Sequence, residues 1–192
     1  MLFSTIWIFL LMRYFSPPYK KEGFMNLRYI LLPALVMLSL PGCAAANPEA
    51  EATIVIDAPL ETIWSLVIDV DRWPSWNPAI EDAQIKGSFL PGSEFVWTSG
   101  GTHIRSKVQA VEPYKSLYWT GEAFGTNAIH SWDFAMTSQG VLVKTHESFS
   151  GWLPALLPKM MQRKLDETLA ALLNSLKTAA EAQSRSLQPR GD

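Results

Sequence analysis

A second cysteine is missing. Cys43 stands alone among 192 residues, which excludes a disulfide framework, a cysteine-rich zinc site and an iron–sulfur cluster. A basic excess is missing too. The 16 Lys and Arg are outnumbered by 18 Asp and Glu, so no charge footprint for nucleic acid exists. The three histidines are scattered, with no His-x-x-x-His pair, and no metal site or cofactor is expected. No nucleophile elbow with its Ser, His and Asp occurs, and no glycine-rich phosphate loop. What remains is 48% apolar and 18% charged, enough for a packed core and too apolar for a disordered chain. Eight tryptophans are many for one domain plus a leader, which is what this length allows.

Charge is uneven along the chain. Residues 1–42 hold Arg13, Lys20, Lys21 and Arg28 against Glu22, while residues 43–192 carry 12 basic and 17 acidic residues, a net of −5. From Met25 the pattern is that of an export signal: a short basic segment ending at Arg28, then the apolar run Tyr29–Leu40 of twelve residues, too short for a comfortable transmembrane helix. Leu40-Pro41-Gly42-Cys43 follows and resembles a bacterial lipobox, in which a small residue precedes the cysteine that is lipidated at the mature N-terminus. This implies a protein of the cell envelope, exported and lipid-anchored at Cys43, on the outer membrane or the periplasmic face. The other readings are an ordinary signal cut at Ala44–Ala46, a retained membrane anchor, or a buried structural cysteine. Residues 1–24, with a second apolar run at Leu2–Met12, are read as an over-extended start or an extra leader. Residues 43–51 read as a tether and 183–192 as a disordered tail.

Between them lies one domain, residues 52–182. Thr53–Ile56 is a β-branched strand, and Asp57-Ala58-Pro59 opens a helix with Asp57 as cap and Pro59 in the first turn. Ile63, Trp64 and Val67 recur at helical spacing. Turn signals then separate six strands at about 80–86, 93–98, 102–111, 115–122, 127–137 and 141–150, an antiparallel meander. From Leu156 to Ala182 there is no glycine, and Met161, Leu165, Leu169, Leu172, Leu173, Leu176 and Ala180 recur at three- and four-residue steps. This is one long amphipathic helix, and only the sheet is large enough to cover its apolar face. The fold class is α+β.

Several segments carry a resemblance in order. Ala58-Pro59 with Ile63-Trp64, then Asp69 followed by Trp73-Pro74-Ser75-Trp76-Asn77-Pro78, resembles the opening of the START/polyketide cyclase-like superfamily. Val111-Glu112-Pro113 and Leu117–Gly121 resemble its middle strands, and Glu147–Gly151 its approach to the last helix. The resemblance covers about residues 52–182. It implies a helix-grip fold, with a curved sheet of about seven strands wrapped around the C-terminal helix and a cavity between them. For activity it implies less, because the superfamily holds lipid carriers and cyclases alike.

Strand alternation then assigns faces. Ile104, Ser106, Val108 and Ala110 share the inward face, as do Leu117 and Trp119. On the next two strands the inward sets are Ala128, His130, Trp132, Phe134 and Met136, and Val141, Val143, Thr145, Glu147 and Phe149. A two-residue turn at Gln139-Gly140 would pair Ser138 with Val141, leaving His130 and Glu147 as diagonal neighbours. The expected ligand-binding set is Leu117, Trp119, His130, Trp132, Phe134, Thr145 and Glu147. His130 and Glu147 are either the polar fixtures of an apolar pocket or a satisfied structural pair. Trp73 and Trp76 are a lid or, more simply, core. The uncharged stretch Gly151–Pro158 lines the cavity entrance, touches the membrane or forms a buried cap.

Three functions follow. The first is a lipid-anchored, extracytoplasmic binding protein whose partner is a small hydrophobic molecule or lipid. The second is a cyclase- or dehydratase-type enzyme with His130 and Glu147 as candidate acid–base pair. The third is an interaction domain with a closed cavity. A drug-sized ligand needs roughly 300 Å³ or more, so cavity volume separates the third from the other two.

Overall fold

Proline and glycine punctuate a chain that otherwise alternates strand and helix signals. The computed structural model describes residues 47–187. Strand β1 (Glu49–Ile56) leads into helix α1 (Leu60–Ile68), a 3₁₀ turn (Val70–Arg72) and the short helix α2 (Trp73–Trp76). Six strands follow: β2 (Ile80–Ile85), β3 (Glu94–Ser99), β4 (Thr102–Glu112), β5 (Ser116–Ala123), β6 (Thr126–Thr137) and β7 (Gly140–Ser150). A short helix α3 (Trp152–Leu156) precedes the long helix α4 (Pro158–Leu187). The strands form one antiparallel sheet in the order β1-β7-β6-β5-β4-β3-β2. β1 joins the far edge beside β7, and α4 packs on β1 and α1, so the sheet and the long helix hold the core between them. The expected α+β helix-grip architecture is the one observed. Cys43 and the proposed leader lie outside the described residues.

The apolar stripe of α4 works as its spacing predicts. Met161, Leu165, Leu169, Leu173, Leu176 and Ala180 are buried, and Leu172 is half-buried beside them. Leu173, Leu176 and Ala180 meet Ile56, Ile63, Val67, Val141 and Val143 in the main core. Leu165 and Leu169 form a second cluster with Ala50. The helix does not run unbroken from Leu156. It restarts at Pro158, which has no N–H to continue α3 but suits a first helical position.

Five local expectations are corrected. β1 begins at Glu49, so Glu49–Glu51 are strand and not tether; they pair with β7 from Ser148 to His146. α4 continues to Leu187, so Gln183–Leu187 are helix and not tail. Asp57 does not cap α1: Pro59 occupies that position, and the Asp57 N–H donates instead to the Glu181 carboxylate of α4 at 3.2 Å. Gln109 is an extra residue in β4, because Val108 pairs with Trp119 and Ala110 already with Tyr118. This bulge turns Ala110 outward with Tyr118 and brings Val111 in against Leu117. Met136 keeps its place on the inward set but lies near the hairpin tip, 70% exposed.

The β6–β7 hairpin also differs. Thr137 pairs with Gly140, so the two-residue turn is Ser138-Gln139. Gly140 carries the special conformation, with φ at +126°, and a Cβ there would come within 2.5 Å of the Ile56 carbonyl oxygen. The Thr137 hydroxyl closes the turn by donating to the Gly140 carbonyl and accepting from the Gln139 N–H.

Candidate functional site

The corrected turn brings His130 directly opposite Glu147, where the expectation had them diagonal. The shift is by two residues, an even number, so both side chains stay on the face assigned to them. Trp119 of β5 lies beside His130, and Trp132 faces Thr145. The rings along β6 stack. His130 and Trp132 lie 5.3 Å apart and within 6° of parallel, and Phe134 continues the ladder 6.3 Å beyond Trp132. Trp119 packs tilted against the imidazole at 4.7 Å and lies 6.4 Å from Trp132.

Hydrogen bonds settle the tautomer. The Thr145 hydroxyl donates its one proton to the Ser131 carbonyl at 3.1 Å. It must therefore accept from His130, whose Nε2 lies 2.8 Å away. Nε2 carries the proton, and Nδ1 presents a lone pair to Glu147 Oε1 at 3.6 Å. Burial pushes the Glu147 carboxyl up to about 8. Burial, and then the nearby His146, push the His130 imidazole down to about 3. At neutral pH neither residue is charged, and the proton sits on Glu147. The contact is thus a neutral pair despite its acid–base partners. At 3.6 Å it is longer than a hydrogen bond, so the Glu147 proton is not consumed by His130.

A cavity of about 260 Å³ opens in front of this pair. The sheet contributes Trp97, Ser99, Trp119, His130, Trp132 and Glu147 to its wall. α1, α2 and the turn after them contribute Val67, Trp73, Trp76, Asn77 and Ala79, Ile80 follows at the start of β2, and α4 contributes Glu167 to Leu169, Ala171 and Leu172. Exposed Ala79, Glu167, Thr168 and Ala171 mark its mouth. Four of the expected binding residues therefore line the cavity: Trp119, His130, Trp132 and Glu147. Leu117, Phe134 and Thr145 do not. Leu117 and Phe134 are core, Phe134 packing edge-on against Trp64 at 5.4 Å, while Thr145 stands behind His130 as its hydrogen-bond acceptor.

Several lining residues were not on the expected list. Trp73 is buried core, its indole N–H bonded to the Val67 carbonyl at 3.0 Å, yet one side of it faces the cavity. Trp97 belongs to the inward set of β3 with Phe95, legible by alternation, and its N–H donates to Ser106 at 3.1 Å. Asn77 folds its own turn by accepting from the Ala79 N–H at 3.1 Å. The indole N–H groups of Trp76 and Trp132 are buried without a partner. Among the described residues no cluster of His, Cys, Asp and Glu could hold a metal ion.

The comparisons agree with this fold. Residues 47–181 match the family model described as "Polyketide cyclase / dehydrase and lipid transport". A START superfamily protein from Mycobacterium smegmatis superposes with a TM-score of 0.60 at 19% identity, over 73% of this chain and 99% of that one. A hypothetical protein from Helicobacter pylori gives 0.61 at 16% identity, over 86% and 99%. The di-domain ARO/CYC protein StfQ of the steffimycin biosynthetic pathway gives 0.60 at 17% identity, over 72% of this chain and 52% of that one. At these identities the likeness shows the fold. No curated protein matches the chain.

Proposed function

The chain belongs to the polyketide cyclase/dehydrase and lipid-transport family, and from that premise we propose that it is a binding protein for a compact, mostly apolar molecule bearing a hydrogen-bond acceptor. One observation carries the reading. Within a mostly aromatic and aliphatic wall, the cavity presents an uncharged Glu147 whose proton is available to a ligand. A small number of placed polar groups in an apolar pocket is the usual pattern for small-molecule recognition. A carbonyl or similar acceptor satisfies this donor. The volume is slightly below the roughly 300–1,000 Å³ typical of drug-sized ligands. The occupant is accordingly small. Anchoring to the cell envelope through lipid on Cys43 completes the proposal and is supported by the sequence around that residue.

A second reading, a cyclase- or dehydratase-type enzyme, is favoured by the same proton. A carboxyl whose pKa lies near 8 is poised as a general acid at neutral pH, with His130 Nδ1 beside it as acceptor. Binding and turnover are separated by one experiment. Protein extracted from its native membrane is analysed by mass spectrometry for co-purifying small molecules, before and after Glu147→Gln. Binding predicts the same molecule bound more weakly by the variant. Catalysis predicts that the variant accumulates a different molecule, the unconverted substrate. An empty cavity that also takes up no apolar fluorescent probe overturns both.

A further inference from the structure

The uncharged stretch after β7 ends up largely in water. Trp152 is 58% exposed, Leu156 69% and Met160 44%. Trp152 meets a residue from elsewhere in the chain. Phe124, at the tip of the β5–β6 hairpin, is 78% exposed and packs edge-on against Trp152 at 5.5 Å. Phe124 also holds a positive φ of 24°, a backbone cost that a bulky residue rarely bears. Folding gains little from a strained aromatic left in solvent. Such a cluster marks an interaction surface.

Two further features sit at the same end. Arg105 lines one groove with Phe124 and Trp152, opposite Glu122 on the next strand, and Lys159 and Arg163 are exposed one turn apart beside Met160. These cations stand out in a domain of net negative charge. The chain also enters the domain here. The Pro48 carbonyl accepts from Phe149 at 2.8 Å, and Gln162 of α4 clamps the Glu49 backbone through both its N–H and its carbonyl. From Cys43 to Pro48 is five residue steps, at most about 17 Å of extended chain.

We propose that this end is a membrane-docking surface for an anionic phospholipid bilayer. Phe124, Trp152, Leu156 and Met160 enter the interfacial zone, and Arg105, Lys159 and Arg163 meet the phosphates. Interfacial binding of this kind adds apolar burial to electrostatic attraction. Ile80 and Ser99, both in the cavity wall, pair with each other at this same end of the sheet, so docking brings the ligand site toward the bilayer. The choice of a bilayer over a protein partner rests on the anchoring read at Cys43, which leaves only a short connection to this face.

The test uses full-length protein in vesicles of phosphatidylcholine and phosphatidylglycerol. An environment-sensitive fluorophore is attached through Leu156→Cys, Phe124→Cys or, at the opposite end of the sheet, Gln139→Cys. The labels at 156 and 124 are expected to shift to the blue and be quenched by spin-labelled lipid, with no change at 139. Lys159→Glu with Arg163→Glu should reduce the shift. Labels at 156 and 124 that stay water-like on vesicle-bound protein overturn the proposal. So does an equal shift at 139, or a shift without vesicles, which would indicate a protein partner or self-association. The intact mass of the same sample reads the state of Cys43. The labels are repeated in Cys43→Ser, which leaves no second thiol to mark; a blue shift retained there removes the need for the lipid anchor and leaves the docking surface standing.

Discussion

His130 and Glu147 face each other across β6 and β7 at 3.6 Å as a neutral pair, the carboxyl protonated and the imidazole not. In the unfolded chain the same two groups exchange that proton between pH 4.5 and 6.5, where glutamate is ionised and histidine charged. Folding therefore moves a proton from one to the other without net uptake.

This fixes a pH profile. Between pH 4.5 and 6.5 the pair contributes no slope, because folded and unfolded states hold equal numbers of its protons. Above 6.5 the unfolded pair has lost its last proton while folded Glu147 keeps its own until about 8, so stability falls as pH rises. Below 4.5 the unfolded pair holds two protons while His130 resists its own until about 3, so stability falls as pH falls. Each limb amounts to about 2 kcal/mol. Glu147→Gln should flatten the alkaline limb, and His130→Gln should soften the acid one, in chemical denaturation measured across this range. An alkaline limb unchanged in Glu147→Gln would mean that the carboxyl is not held protonated.

The leucines of α4 divide between structure and cavity. Leu176 is fully buried in the main core and does not touch the cavity, so Leu176→Ala should cost about 2–5 kcal/mol with little effect on ligand. Leu172 is half-buried and lines the cavity. Leu172→Ala should cost less stability and change ligand affinity or size preference. Denaturation and ligand titration of both variants test the division, and equal stability losses would erase it.

Three tryptophans at the cavity differ in one hydrogen bond. The Trp73 N–H bonds to Val67, whereas those of Trp76 and Trp132 have no partner. An unsatisfied buried donor costs about 1–3 kcal/mol, a penalty that replacement by phenylalanine removes. Trp132→Phe also keeps an aromatic ring between His130 and Phe134. Trp73→Phe should thus be clearly more destabilising than Trp132→Phe or Trp76→Phe in thermal melts of ligand-free protein. The reverse order would show that the unpartnered N–H groups are satisfied in solution.

Cys43→Ser tests the anchor alone. A serine offers no thiol for thioether formation, so the protein should leave the membrane fraction or remain unprocessed. Fractionation with intact-mass measurement reads both outcomes. A native N-terminus at unmodified Ala44, Ala45 or Ala46 would end the lipoprotein reading.

Much of this was legible because strands alternate. Trp119, His130, Trp132 and Glu147 reach the cavity on the face that alternation assigns, and the α4 stripe is buried as its spacing requires. Even the misplaced turn did no harm to the faces, since its error was even. What was illegible depends on contacts distant in sequence or on single irregular residues. Glu181 takes the Asp57 N–H from 124 residues away. The bulge at Gln109 reverses Ala110 and Val111 with no local signal in Lys107–Val111. Trp73 shows why core and cavity are poor alternatives for an aromatic: its ring has two sides, and the fold uses one for each.

Gly140 is where the site's register meets the backbone. Its φ of +126° suits glycine, and an added Cβ would press on the Ile56 carbonyl oxygen of β1 at 2.5 Å. Gly87 also has positive φ, at +87°, but a Cβ there meets nothing within 4 Å. Gly87→Ala therefore isolates backbone strain, of order 1–3 kcal/mol. Gly140→Ala adds a clash with main chain that cannot swing aside, so it should cost more. Relief requires β1 to move off β7 or the hairpin to change its pairing, and a two-residue slip would return His130 and Glu147 to diagonal positions. The expected result is a larger stability loss than for Gly87→Ala, together with a downward shift of the Glu147 pKa as its burial loosens, read by NMR titration of the carboxyl. Equal losses at the two glycines, with the carboxyl still titrating near 8, would show that the turn does not hold the pair in register.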